Sequence, residues 1–121
     1  MKVGPMLSLI SNFNQAFNRH DIDAMMEMMT EDCIFENTYP PPDGTRFDGK
    51  ASVKTFWILF FQSSPHAQIE IEEIFESKDR VIQRWVYHWQ ETSGKNGYVR
   101  GVDLFTIRDG LILEKLSYVK G

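Results

Sequence analysis

Apolar positions change their period midway along the chain. Up to about residue 62 they recur at helical spacing, and from about residue 67 they alternate as in strands. Met6, Ile10, Phe13 and Phe17 form one face of a helix over 6–18. Asp21 is suited to cap a second helix, with Asp23 near its positive end and a buried stripe of Ile22, Met25, Met26 and Met29. Methionines at this spacing read as core or as an adaptable ligand surface. His20 falls at the helix–helix corner, where a structural hydrogen bond or solvent exposure is expected. Thr30-Glu31-Asp32 closes the helix, and Cys33–Glu36 reads as a short strand. A third helix over about 50–62 presents Val53, Phe56, Trp57 and Phe60, widened by Leu59 and Phe61. A helix this apolar is buried or lines a pocket. Between these elements, residues 37–49 form a polar loop around Pro40-Pro41-Pro42. Consecutive prolines forbid a helix and favour an extended rim. With Tyr39 and Phe47 beside it, the loop is either a connection or the border of a ligand mouth.

The second half reads as strands. In 67–76 the alternation breaks at Glu72-Glu73, which predicts a β-bulge. Residues 81–118 predict a three-stranded meander with turns at Asn96-Gly97 and Asp109-Gly110. Two-residue turns there pair Lys95 with Tyr98 and place Gln90 opposite Asp103. They also pair Arg108 with Leu111 and place Phe105 opposite Glu114. One face then carries Arg84, Val86, His88, Asp103, Phe105, Glu114 and Tyr118, and the other carries Trp85, Tyr87, Trp89, Lys115 and Ser117. A slip of one residue in either hairpin separates these groupings. Helices followed by antiparallel strands define an α+β class, with helices on one face of a curved sheet.

The 121 residues suggest a single domain over 1–121 with a substantial core. A hydrophobic content of 42% and an aromatic content of 13% exclude disorder. A net charge of −4 without a basic run argues against nucleic acid. Neither a signal peptide nor a membrane-spanning run is recognisable, so a cytoplasmic protein with no membrane partner is expected. Cys33, the one cysteine, is a buried hydrophobe or a reactive thiol. Phosphate-binding glycine loops, HExxH and nucleophile elbows are absent from the sequence, and His20, His66 and His88 are too scattered for a metal site.

Asp103 interrupts an apolar strand. Buried and unpaired, it would titrate high, as suits a general acid or base. His88 across the strand pair and Glu114 on the same face are its candidate catalytic partners. The bland alternative is a structural network in which Arg84 pairs with Asp103 or Glu114. Trp85, Tyr87 and Trp89 on the opposite face predict a homodimer interface, unless they line the pocket and His88 points out.

The strings NRHDIDAMMEMMTEDCIFEN, FDGKASVKTFW and GVDLFTIRDGLILEKLSYV resemble the SnoaL-like and ketosteroid-isomerase-like branch of the NTF2-like superfamily. The resemblance implies a cone: a strongly bent antiparallel sheet wrapped around three N-terminal-half helices, with an internal pocket and often an outer-face dimer. The fold hosts isomerases, cyclases, hydratases and non-catalytic binding domains. Of the isomerase positions, that of the general base holds Asn37, which cannot abstract a proton, that of the oxyanion tyrosine holds Phe13, and the second acid alone is matched, by Asp103. The polyketide-cyclase pattern is matched by His88 and Asp103. On this reading Phe13, Phe17, Asn37, Tyr39, Trp57, Phe60, Arg84, Val86, Phe105 and Tyr118 line the pocket. The expected function is binding of a small apolar carbonyl compound, with isomerase, cyclase or lyase chemistry by proton transfer and no cofactor. The alternative is a non-catalytic ligand-binding or dimerisation module.

Overall fold

The computed structural model describes residues 4–121. Its helices are α1 (Pro5–Asn18), α2 (Ile22–Glu27) and α3 (Lys50–Ser63). Its strands are β1 (Met29–Glu36), β2 (Arg46–Asp48), β3 (Gln68–Ser77), β4 (Arg80–Gln90), β5 (Asn96–Arg108) and β6 (Leu111–Val119). The strands form one six-stranded sheet in the order β2-β1-β6-β5-β4-β3. The sheet is mixed rather than antiparallel, because β1 runs parallel to β6. Helix α1 packs on β3 and β4, and α3 on β1. The fold is α+β and NTF2-like. Among the described residues no helix is long and apolar enough to cross a membrane.

Local chemistry accounts for the helix starts. Pro5 opens α1, where its missing N–H costs nothing. Asp21 accepts from the Ala24 N–H at 3.1 Å and caps α2. Helix α2 is shorter than its stripe predicted. The Ile112 N–H donates to the Met28 carbonyl at 2.8 Å, so β6 captures the chain and Met29 opens β1. Ile10, Phe13, Met25, Met29, Cys33, Val53, Phe105 and Ile112 are sealed into the core. Burial pushes the Cys33 thiol up from its ordinary pKa, which disfavours the reactive thiolate. The proline loop is not an extended rim: it folds back, with the Gly44 N–H donating to the Pro40 carbonyl at 2.8 Å.

The bulge at Glu72 is present, with the β3–β4 register shifting between Ile71 and Glu73. The β4–β5 register differs from the predicted one. Gln90 pairs with Asn96 and Gln83 with Asp103. The connection spans 91–95, closed by the Glu91 N–H on the Lys95 carbonyl at 2.7 Å, and Asn96-Gly97 belongs to β5. Side-chain packing explains the choice. Trp85 stands opposite Gly101 and Trp89 opposite Gly97, and a methyl group on either glycine would collide with the facing indole. The Asp109-Gly110 turn pairs Arg108 with Leu111 as predicted, with both turn residues at positive φ. Immediately beyond it the register shifts, so Thr106 faces Glu114 and Phe105 faces Lys115. The Ile107 N–H is diverted at this step to the Asp79 carbonyl, 2.8 Å away.

These two register changes reverse β5 relative to both neighbours. Asp103 and Phe105 therefore share the inner face with Trp85, Tyr87, Lys115 and Ser117. His88, Glu114, Arg84, Val86 and Tyr118 occupy the outer face.

Candidate ligand cavity

A cavity of about 400 Å³ opens between α3, the 37–39 segment and the concave face of the sheet. Its walls are Phe17, Phe35, Phe56, Trp57, Leu59, Phe60, Ile69, Trp85 and Tyr87. Most of these come from the apolar stripe of α3 and from alternate positions of β4. Trp57 stacks on Phe35 at 5.0 Å and meets Phe17 edge-on at 5.7 Å, so the wall is a continuous aromatic cluster. Burial pushes the Tyr87 phenol up. Tyr39, 74% exposed, and Leu59, 60% exposed, stand where the cavity meets solvent.

The polar end is formed by Asp103, Lys115 and Ser117, and the first two are the charged residues that border the cavity. Asp103 is sealed from bulk solvent. Its Oδ1 accepts from Ser117 Oγ at 2.7 Å and from Lys115 Nζ at 3.4 Å, and its Oδ2 accepts from Gln83 Nε2 at 2.9 Å. Lys115 also donates to Ser117 Oγ at 2.9 Å and lies over the Phe35 ring, 4.7 Å from its centre. Behind Asp103, Gln83 and Asn14 exchange reciprocal hydrogen bonds of 3.1 and 2.8 Å. The buried charge pair is thus held from α1 through β4, β5 and β6. Buried charges persist when paired and hydrogen-bonded in this way.

The expected trio of Asp103, His88 and Glu114 is not assembled. His88, exposed on the outer face, contacts Glu70 at 3.3 Å, and Glu114 accepts from Thr106 Oγ1 at 2.9 Å. Arg84 pairs with Glu73 at 3.1 Å and Glu72 at 3.5 Å, not with Asp103 or Glu114. Among the expected lining residues, Phe17, Asn37, Tyr39, Trp57 and Phe60 border the cavity. Phe13 and Phe105 pack against each other in the core, 6.2 Å between ring centres. Val86 is buried on the outer face, and Tyr118 is 55% exposed there. Trp85 and Tyr87 line the cavity, so the Trp85, Tyr87 and Trp89 face is not an outer-sheet dimer surface. Asn37 organises its own loop: Oδ1 accepts from the backbone N–H of Thr45 at 2.7 Å and of Tyr39 at 3.2 Å. His20 has a structural role, with Nε2 2.8 Å from the Ala67 carbonyl and its ring stacked on Phe61.

Lys115, Ser117 and Gln83 were missing from the sequence-derived site. A usable signal existed. Trp85 and Trp89 are four residues apart, as are Gly97 and Gly101, and a single antiparallel register seats both indoles on glycines. That register brings Gln83 to Asp103.

A bent sheet closed by helices over an aromatic cavity with a buried polar end defines an NTF2-like pocket protein. The chain belongs to the SnoaL-like domain family, whose description matches residues 10–115. It is similar to an NTF2-like protein of unknown function from Mesorhizobium loti, at 35% identity over 97% of this chain and 92% of that one, with a TM-score of 0.79. It is also similar in fold to RV0760c from Mycobacterium tuberculosis, solved in complex with estradiol-17beta-hemisuccinate. Here the identity is 24%, the coverage 96% and 94%, and the TM-score 0.81. TerC, co-crystallised with polyporic acid, shares the fold at 20% identity, 97% and 92% coverage and a TM-score of 0.83. No curated protein matches the chain.

Proposed function

We propose that this chain, acting as one unit over residues 1–121, binds a small and largely apolar carbonyl compound and moves a proton on it. The observation that carries this reading is the charge pair at the end of an otherwise aromatic cavity: Lys115 Nζ lies 3.4 Å from Asp103 Oδ1, and both residues border the open volume. That separation is comparable with the span between a carbonyl oxygen and its α-hydrogen. Asp103 takes the α-proton, the Lys115 N–H that neither Asp103 nor Ser117 engages donates to the oxygen as negative charge develops there, and the proton returns from Asp103 to a carbon of the resulting enolate. Double-bond isomerisation, aldol-type cyclisation and β-elimination of carbonyl compounds all begin with this step. The ring-bearing, oxygenated molecules bound by RV0760c and TerC are in keeping with such a ligand.

A second reading is binding without turnover. It is favoured by the hydrogen bonds that already engage both Asp103 oxygens and by the commitment of the Asn37 amide to its loop. Calorimetry with 1-tetralone and its hydrocarbon counterpart tetralin tests the binding claim common to both readings. Wild type should prefer the ketone, and Lys115→Met should remove the preference, a loss of about tenfold in affinity for the ketone. Equal affinities in wild type and variant for both probes would refute the assignment of Lys115 to the carbonyl.

A further inference from the structure

Lys115 is a primary amine at the end of an apolar cavity. Its side chain is 11% exposed, and the residue borders the open volume. Nζ stands 4.7 Å from the centre of the Phe35 ring and 5.8 Å from that of Trp57, both cavity walls. Phe105, from the core, presents a third ring at 6.0 Å. Asp103 Oδ1 and Ser117 Oγ engage two of the three N–H groups, at 3.4 and 2.9 Å. Lys50 and Lys54 differ, pairing at the surface with the exposed Glu31 and Asp23.

A nucleophilic lysine needs a base to take its proton and a dry place to react. Asp103 is a base already in contact. Moving a proton from Nζ to Oδ1 turns two charges into two neutral groups, so no unpaired charge is left beside the cavity. Gln83, 2.9 Å from Oδ2, holds the carboxyl in place through the transfer. A carbonyl whose oxygen accepts from Lys115 has its carbon only one C=O bond farther away, about 1.2 Å.

We infer that Lys115 is a nucleophile, and that the cavity binds its aldehyde or ketone covalently, as an imine on Nζ. The inference rests on the reading of the cavity as a carbonyl site. Asp103 takes one proton from Nζ, and the neutral amine adds to the carbonyl carbon. A second proton passes from nitrogen to the former carbonyl oxygen, giving a carbinolamine. Asp103 returns its proton to that hydroxyl, which leaves as water while the nitrogen lone pair closes the C=N bond. An ammonium and a carbonyl thus become an iminium and water, with charge conserved. The iminium keeps an N–H for Asp103 and lies among the same aromatic faces. It draws electrons more strongly than the carbonyl, and Asp103, a carboxylate again, removes the α-proton to leave an enamine. Carboxylic acids and amides do not condense in this way, so the substrate class is aldehydes and ketones.

2-Naphthaldehyde has the carbonyl and no α-hydrogen, so it separates imine formation from proton transfer on carbon. Wild type treated with it and sodium cyanoborohydride should gain the mass of the aldehyde less its oxygen. Peptide mapping should place the label on Lys115 about tenfold faster than on any other lysine. Excess tetralin should suppress the Lys115 label and leave surface labelling unchanged. In oxygen-18 water, wild type should also exchange the carbonyl oxygen of 1-tetralone, because each imine formed and hydrolysed replaces it. Lys115→Arg keeps a charged donor opposite Asp103 but forms no imine, and should not exchange it. Labelling without preference for Lys115, with the aldehyde shown to bind by calorimetry, would overturn the inference. Oxygen exchange equal in wild type and variant would do the same. In both cases exchange of α-hydrogens still tests the proton-transfer reading. If Lys115→Arg does not fold, the wild-type labelling decides alone. Failure of 2-naphthaldehyde and tetralin alike to bind would instead sink the ligand-site reading, and the inference with it.

Discussion

Replacing Lys115 by Met keeps the length and apolar stem of the side chain and removes its charge. Asp103 then remains buried as a carboxylate held by Ser117 at 2.7 Å and Gln83 at 2.9 Å, with no counter-charge. Breaking a buried ion pair on one side costs about 3–5 kcal/mol. Here the contact is a long 3.4 Å and two hydrogen bonds survive, so a loss of about 2–4 kcal/mol is expected. At about 4 °C per kcal/mol, that is a fall of roughly 8–16 °C in Tm. The same change in an Asp103→Asn background strands no charge and should cost only about 1 kcal/mol. Denaturant unfolding of wild type, both single variants and the double variant closes the cycle, with an expected coupling of about 2 kcal/mol. Costs that add within about 0.5 kcal/mol would show that Lys115 acts through its packing on Phe35 and Trp57, and the ion-pair argument would fail.

Other perturbations test the frame around this pair. Gly101→Ala drives a methyl group into the Trp85 ring and the Tyr118 backbone carbonyl, and should cost about 2–3 kcal/mol by denaturant unfolding. Gly97→Ala, facing only the half-buried Trp89 ring, should cost less; the reverse order would contradict the packing account of the register. Asn14→Ala removes a partner from buried Gln83 and should cost about 1–3 kcal/mol, read from the shift in urea midpoint. Arg108 hydrogen-bonds Asp32 at 2.6 and 3.1 Å and holds its carboxyl at about 2, below the ordinary 3.8. The stability from this pair is present above the unfolded value and is lost as pH falls through about 2. Carboxyl NMR should show Asp32 titrating higher in Arg108→Gln than in wild type, and an unchanged low titration would deny the pairing.

The helical half was legible because α1 and α3 carry unbroken 3.6-residue periodicity and α2 carries a side-chain cap at Asp21. The Glu72 bulge and the Asp109-Gly110 turn were also local and readable. The site was not, because it depends on β5 alone being reversed. An Asn-Gly pair is a strong turn signal, yet here it lies inside a strand, since seating Trp85 and Trp89 on Gly101 and Gly97 outweighs a two-residue turn. The second shift arises where the Ile107 N–H leaves the ladder for Asp79, a tertiary contact without local signature. Both slips reverse the face of β5, so the expectation that Trp85, Tyr87 and Lys115 share a face held while Asp103 changed sides to join them.

The central claim is that Asp103 and Lys115 act together on a carbonyl compound in this cavity. The most direct measurement is the rate at which 1-tetralone exchanges its α-hydrogens in heavy water, followed by proton NMR with wild type and Asp103→Asn. The account predicts exchange with wild type that falls by about 100-fold or more in the variant, with ketone binding retained. Equal rates for the two proteins, both binding the ketone, would contradict it and leave the chain a binding module.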